Sequence, residues 1–179
     1  MKRPPGGIAR PLVDFAALYR EYARDVHRFA LYLSGDAALA DDLVSEVFVR
    51  VWTARDRVDL TTVRGYLFAI VRNLFLKDRR YQGRRVPLDE RMAADEADPE
   101  HRASDRSDLQ AVLAALGKLP EIDRAALLMR ADEGLPYEEI AAALGISTPA
   151  AKVKVHRSRL KLADALMAFP SETCWERRQ

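Results

Sequence analysis

The stretch 136–162 constrains the fold most strongly, because its pattern indicates two helices joined by a tight turn. In the first helix, Ile140, Ala141 and Leu144 fall on one face at helical spacing. Gly145 predicts the end of this helix, because glycine adopts the left-handed conformation of a helix C-cap at little steric cost. The turn that follows is therefore predicted to be short.

The second helix of this pair is predicted to begin at Thr148, whose hydroxyl can cap it, and to continue with Pro149 at the first helical position. The residues predicted to face inward are Ala151, Val155, Ser158 and Leu162. The opposite face is mostly cationic and carries Lys152, Val153, Lys154, His156 and Arg157. This pattern favours a DNA-reading helix-turn-helix, whose second helix lies in the major groove. The alternative is an ordinary helical hairpin with a solvated basic face.

The distribution of charge says more about partners than its total, because 179 residues carry a formal net charge of only +2. The segment 72–85 holds six cations and one carboxylate, Asp78. The segment 89–108 holds eight carboxylates and three arginines. Basic and acidic segments therefore alternate along the chain, and a nucleic-acid partner is indicated by the clusters.

The sequence shows no pattern that indicates a disulfide framework, a metal site or a membrane-spanning segment. Cys174 is the single cysteine, so an internal disulfide framework is excluded, and His27, His101 and His156 lie far apart in sequence. The chain contains no apolar run of membrane-spanning length and no signal peptide. We therefore expect a cytoplasmic protein with no cofactor, no metal site and no membrane insertion.

The first part of the chain predicts two amphipathic helices. Asp14 is expected to cap the first, whose apolar stripe comprises Phe15, Leu18, Tyr19, Tyr22, Val26, Phe29, Ala30 and Leu33. The second helix, over about 36–54, is expected to bury Leu43, Val44, Val47, Val51 and Trp52. Its outward face is acidic and presents Asp42, Ser45, Glu46 and Val49.

A third helix is predicted to follow a loop over 55–62 and to point Val63, Tyr66, Leu67, Ile70, Val71 and Leu74 inward. Its far end mixes cations with Phe75 and Tyr81. Such a composition suits a DNA strand whose bases stack on rings while its phosphates meet cations. The alternative is a surface helix with its rings in the core and its arginines in water.

The fold class expected from these patterns is all-α, with two small helical domains joined by a flexible acidic linker. The predicted bounds are 12–84 for the first domain, 85–106 for the linker and 107–168 for the second domain, which ends in the helix-turn-helix. The segment 83–107 lacks helical periodicity and contains Pro87 and Pro99. The linker is either a solvated tether or a functional acidic element, which in the free protein would lie against Arg79, Arg80, Lys152 and Arg157. The tail 169–179 has no clear pattern.

Four motifs in this order carry a resemblance to a known family. They are DDLVSEVFVRVW, RGYLFAIVRNLFLKDRR after it, LGKLPEIDRAALLM beyond the acidic segment, and the C-terminal helix-turn-helix. Together, over about residues 12–165, they closely resemble the extracytoplasmic-function (ECF) group of bacterial RNA polymerase sigma factors. The resemblance implies a dissociable subunit that binds core RNA polymerase and directs it to promoters.

The resemblance also implies roles for individual residues. Asp42, Ser45 and Glu46 would meet the clamp coiled coil of the polymerase β′ subunit, and the β flap is a second expected contact. Promoter DNA at the −10 element would be met by the loop 55–62 and by Arg72, Asn73, Lys77, Arg79 and Arg80. The −35 element would be read by Thr148, Lys152, Val153, Lys154, His156 and Arg157. An anti-sigma factor is implied as an inhibitory partner.

Some positions depart from the family pattern. Ser45 stands where the family usually has glutamine, which predicts a weaker polymerase contact. Pro149, Ala151 and Val153 differ from the usual start of the recognition helix, so the promoter sequence cannot be predicted from the family pattern.

Two other functions compete with the sigma-factor interpretation. A helix-turn-helix transcription regulator would leave the first domain as a sensor. A small DNA recombinase would need an α/β domain, but no strand pattern is present.

Overall fold

The structure is a computed structural model that describes residues 14–54, 63–82 and 102–167, with side chains from 109 onward in the last range. These residues form seven α-helices and, within the same ranges, no strand, which confirms the predicted all-α class. The helices are α1 Phe15–Ser34, α2 Ala37–Thr53, α3 Val63–Gln82, α4 Arg102–Gly117, α5 Glu121–Ala131, α6 Tyr137–Leu144 and α7 Thr148–Met167. We call α1–α3 the N-terminal half and α4–α7 the C-terminal half.

The N-terminal half is a three-helix unit whose core comes from one face of each helix. Asp14 caps α1 as predicted, because its carboxylate accepts the backbone N–H groups of Ala16 and Ala17 at 3.0 and 3.2 Å. Phe29 of α1 and Phe68 of α3 form the centre of the core, with ring centroids 4.7 Å apart. Both rings are almost fully buried, at 0% and 1% exposure.

Three aromatic residues predicted to point inward are instead exposed, namely Tyr19 at 46%, Trp52 at 50% and Tyr66 at 39%. Phe48 and Phe68, which the sequence analysis did not assign to the core, are buried in their place. Tyr19 and Trp52 still make edge contacts at the rim of the core, where the ring of Tyr19 lies 4.7 Å from that of Phe48. The predicted apolar stripes therefore have the correct helical period but include edge residues that the core does not cover.

The C-terminal half packs α4–α7 around a second group of apolar side chains. Its almost fully buried members include Met129 of α5, Ile140 of α6, and Ala151 and Val155 of α7. Gly145 ends α6 with φ +66°, the left-handed C-cap that the sequence predicted. The buried residues of the two halves form one continuous cluster, because α1 and α3 contact α5, and α3 also contacts α6.

Two local predictions were wrong. The cap of α7 is Ser147, whose Oγ accepts the N–H of Ala150 at 3.3 Å, and Thr148 is already the first helical residue. The predicted linker and non-helical segment extended to 106 and 107, whereas α4 begins at Arg102. The rest of that segment lies outside the described residues, as do the loop 55–62 and the tail with Cys174.

Candidate nucleic-acid and polymerase interfaces

Helix α7 presents most of its predicted DNA-reading residues to solvent. Its inner face is held by Ala151, Val155 and Ser158, all buried as predicted, and Leu162 is half-buried. On the outer side, Lys152, Val153, His156 and Arg157 are exposed, with Val153 at 46%. Thr148 is half-buried at the start of the helix. An exposed valine among cations can pack on a thymine methyl while its neighbours reach guanine edges or phosphates.

Lys154 differs from the other candidates on α7, because its ammonium group is paired inside the domain. Its Nζ lies 2.7 Å from Oδ1 of Asp123 on α5, and its side chain is 29% exposed. The backbone carbonyl of Asp123 also accepts the hydroxyl of Ser158 at 3.2 Å. Asp123 thus anchors two successive turns of α7 on α5, and Lys154 contributes to that anchor.

The basic end of α3 exposes four of its five predicted DNA-contacting residues, Asn73, Lys77, Arg79 and Arg80. The fifth, Arg72, is only 14% exposed and donates to both carboxylate oxygens of Glu121 on α5, with Nη2 at 3.0 Å from Oε2. Of the two aromatic residues considered for base stacking, Phe75 is buried at 4% exposure and Tyr81 is exposed at 56%. Phe75 is therefore a core residue and offers no stacking surface.

The acidic patch on α2 is exposed where the sequence placed it. Asp42, Ser45 and Glu46 all lie at the surface. The hydroxyl of Ser45 donates to the backbone carbonyl of Asp41 at 3.1 Å, and Glu46 pairs with Arg50 one turn later at 3.0 Å. Exposed pairs of this kind contribute little to stability, so Glu46 can exchange Arg50 for a partner protein at small cost.

A groove of about 640 Å³ joins this acidic patch to the basic end of α3. Asp42 and Glu46 line its α2 side, while Lys77 and Arg80 line its α3 side together with Tyr81. The structure therefore brings residues predicted for polymerase binding and residues predicted for DNA binding to the two walls of one groove. Neither helix pattern alone indicated that these sets were neighbours.

An ion-pair cluster that the sequence analysis missed joins the two halves around Glu133. Its carboxylate is fully buried and accepts Nη2 of Arg28 at 2.7 Å and Nη2 of Arg64 at 3.1 Å. Arg28 also pairs with Asp132 at 2.7 Å, and Arg64 with Asp25 at 2.9 Å. The partners of Glu133 lie 105 and 69 residues away in sequence, so no local motif could have revealed them.

The protonation of this cluster reflects two opposing effects. Burial raises the pKa of Glu133, and the hydrogen bond and charge of Arg28 oppose that rise. The pKa of Arg28 is raised, chiefly by its hydrogen bond to Asp132. The cluster is therefore a charged contact whose buried member depends on the arginines of the other half.

Metal sites and membrane spans are not found in the ranges 14–54, 63–82 and 102–167. No three or more His, Cys, Asp or Glu side chains there are grouped to hold a metal ion. None of the helices in these ranges is both long and apolar enough to cross a bilayer.

Comparison with protein families assigns both halves. Residues 18–85 match the family described as Sigma-70 region 2, and residues 109–162 match Sigma-70, region 4. The region 2 match lies where the transcription-regulator alternative would place a sensor domain, and so favours the sigma-factor interpretation.

Curated relatives and solved structures point the same way. The chain is 39% identical to the ECF RNA polymerase sigma factor SigE of Mycolicibacterium smegmatis over 87% of its own length and 63% of that protein. It is 34% identical to the ECF sigma factor EcfG of Rhodopseudomonas palustris, covering 80% of each chain.

Two solved structures resemble the arrangement of helices over most of this chain. One is the sigma factor RpoE in complex with the anti-sigma factor NepR from Bartonella quintana, with a TM-score of 0.73, 28% identity, and coverage of 86% of this chain and 97% of that one. The other is CnrH in complex with the cytosolic domain of CnrY, with a TM-score of 0.64, 27% identity, and coverage of 86% and 88%. With both sigma-70 regions present in order and relatives matched over most of their length, this chain belongs to the ECF sigma factors of RNA polymerase.

Proposed function

We propose that this sigma factor selects promoters through two DNA-binding surfaces and binds core polymerase through a third surface. The exposed face of α7 reads the −35 element, the basic end of α3 engages the −10 element, and the acidic patch on α2 holds core polymerase. The observation that carries the proposal is the two-sided character of α7. Three buried residues fix the helix in its domain, while Lys152, Val153, His156 and Arg157 remain exposed together on the outer side.

Core polymerase is the partner that makes these surfaces act together. Asp42, Ser45 and Glu46 would contact the β′ clamp coiled coil, and the C-terminal half would contact the β flap. Each DNA surface alone offers only a few cations and one recognition helix, so the free protein should bind DNA with near non-specific affinity. The protein would act in the cytoplasm, where polymerase works, and would supply specificity with no catalysis of its own.

An anti-sigma factor is the second proposed partner, supported by the likeness to two sigma factors solved with such partners or with a cytosolic domain. In the arrangement seen here, Arg72 is paired with Glu121 of the other half. Promoter engagement through Arg72 therefore requires that pair to open. A protein that binds the packed arrangement preferentially would hold the factor inactive.

Run-off transcription with core polymerase and a library of promoters tests the proposed function. We expect initiation from a subset of templates that share two short elements, and tight promoter binding only when core polymerase is present. A folded protein that supports initiation on no template, or that binds one duplex tightly and specifically without polymerase at physiological salt, would contradict the proposal.

Neutralising either of two cations on α7 should weaken promoter engagement. We expect Arg157→Ala and Lys152→Ala each to cost about 1 to 3 kcal/mol, because each removes a contact to a base edge or a phosphate. A base contact predicts a loss confined to the preferred sequence, and a phosphate contact predicts a uniform loss. Promoter binding by holoenzyme measures both. Arg24→Ala, an exposed arginine on α1, is the matched control, and an equal loss there would contradict the assignment to α7.

Val153 should influence which −35 sequence is preferred and leave the salt dependence of binding nearly unchanged. Val153→Ser removes both methyl groups of the valine and introduces one hydroxyl at a position that carries no charge, so the number of phosphate contacts is preserved. A selection from randomised −35 sequences measures the preference. The same preferred bases before and after the change would remove Val153 from the readout.

Releasing Arg72 from its partner should increase non-specific DNA binding by the free protein. Glu121→Gln removes the charge that holds the guanidinium of Arg72, and one additional phosphate contact predicts roughly 3- to 10-fold tighter binding at low salt and a salt slope steeper by about one. Fluorescence anisotropy with a random duplex measures both quantities. Glu138→Gln, an exposed acid on α6, is the control. Equal affinities of the two variants would show that Arg72 does not meet DNA.

A further inference from the structure

One nitrogen of a buried arginine at the junction of the two halves has no hydrogen-bond partner among the described residues. Arg124, on the first turns of α5, is only 6% exposed, and its Nε has no partner among the described residues. A buried guanidinium normally satisfies its donors with carboxylates, carbonyls or an anion, because its desolvation is otherwise uncompensated. Arg124 is therefore an exception that calls for a counter-ion.

Its surroundings contain further arginines. The guanidinium carbons of Arg124 and Arg79 lie 5.9 and 5.8 Å from the centroid of the same ring, Phe75. Arg72 stands one turn before Phe75 on α3, on the same face as Arg79. We call Arg72, Arg79 and Arg124 the three-arginine cluster. It draws on both halves, because two members lie on α3 and the third on α5.

The cluster is short of negative charge. Glu121 is the described carboxylate that is hydrogen-bonded to it, and both of its oxygens are used by Arg72. Three guanidinium groups against one carboxylate leave an excess of two positive charges. Consistent with this excess, the pKa of Arg124 is lowered, first by burial and then by the charge of Arg79, with Glu121 opposing. Among the described residues, no carboxylate forms an ion pair with Arg79 or with Arg124.

We propose that the three-arginine cluster is a binding site for a phosphate group at the junction of the two halves. Guanidinium forks match the geometry of phosphate oxygens, and a doubly charged phosphate matches the excess charge. Arg124 would donate from the buried side, and the exposed Arg79 would close over the anion from solvent. Because both halves supply donors, a bound phosphate group would strengthen their contact. The group could belong to a free phosphorylated molecule or to a DNA backbone.

Thermal unfolding of the full chain tests the site, with inorganic phosphate compared with sodium chloride at equal ionic strength. At several times its dissociation constant, phosphate should raise Tm by roughly 2 to 4 °C over the chloride control. Arg124→Gln should abolish this rise. Since Arg124 is buried and its replacement can impair folding, Arg79→Gln, an exposed change, is the second test and should abolish it too. Arg80→Gln, the next residue on the same helix, should retain it.

A parallel titration with a short single-stranded oligonucleotide distinguishes the two sources of the phosphate group. A rise with inorganic phosphate that depends on Arg79 and Arg124 assigns the site to free phosphorylated molecules. A rise that depends on these two arginines with the oligonucleotide alone assigns it to a backbone phosphate. If neither probe shows such dependence, or if phosphate stabilises both variants as it does the unmodified protein, the proposed site is wrong.

Discussion

Replacing Glu133 with lysine is expected to separate the two halves of the protein. The carboxylate of Glu133 is fully buried between Arg28 and Arg64, so the change places a third cation beside two arginines, which keep only Asp132 and Asp25 as carboxylate partners among the described residues. Breaking a buried ion pair costs about 3 to 5 kcal/mol. Arg28 and Arg64 are 34% and 42% exposed and can regain water, so we expect about 3 kcal/mol.

Small-angle X-ray scattering and urea unfolding measure the result. The Glu133→Lys variant should show a larger radius of gyration and a lower midpoint of unfolding, while each half keeps its helices by circular dichroism. Glu138→Lys, which makes the same change of charge at an exposed position on α6, should leave both quantities nearly unchanged. Equal radii for the two variants would show that the Glu133 cluster does not hold the halves together.

The second large effect is expected in the core of the N-terminal half. Phe68→Ala removes a ring that is 1% exposed and packed on Phe29, and such a truncation costs about 3 to 5 kcal/mol because a cavity remains. Two residues earlier on α3, Tyr66 is 39% exposed. Tyr66→Ala should therefore cost about 1 kcal/mol or less.

This pair of variants decides between two placements of α3, since periodicity alone pointed Tyr66 inward and did not select Phe68. Chemical denaturation of both variants gives the two changes in the free energy of unfolding. A cost for Tyr66→Ala equal to that for Phe68→Ala would mean that α3 is rotated relative to the structure described here.

Local signals accounted for much of the fold. Asp14 and Gly145 marked helix ends because a capping carboxylate and a left-handed glycine act on their immediate neighbours. The inner face of α7 was predicted residue by residue, because Ala151, Val155 and Ser158 follow helical spacing. The motif order also carried the resemblance to ECF sigma factors that the comparisons confirmed. The assignment of individual residues to DNA or polymerase remains a prediction.

Packing between the helices decided which aromatic residues at the edges of the apolar stripes are buried. Trp52 and Tyr66 fit an apolar stripe as well as Phe48 and Phe68 do, and all four occur at helical spacing. The spacing of apolar residues on one helix does not reveal how much of its surface the neighbouring helices cover. That width depends on where the neighbouring helices lie. Here α1, α2 and α3 leave room for Phe29, Phe48 and Phe68, so the larger amphipathic rings remain at the rim.

The sequence alone was enough to predict the all-α class, the helix ends at Asp14 and Gly145 and the family, because these depend on residues within a few turns of one another. Only the tertiary structure decided which charges are available. Arg72 and Lys154 look like free cations in sequence, yet Glu121 and Asp123 pair with them from positions 49 and 31 residues away. The Glu133 cluster and the three-arginine cluster likewise join helices distant in the chain. Ion pairing is set by distance in space, and the spacing of charges along one helix carries no information about the opposite charge that folding brings beside it.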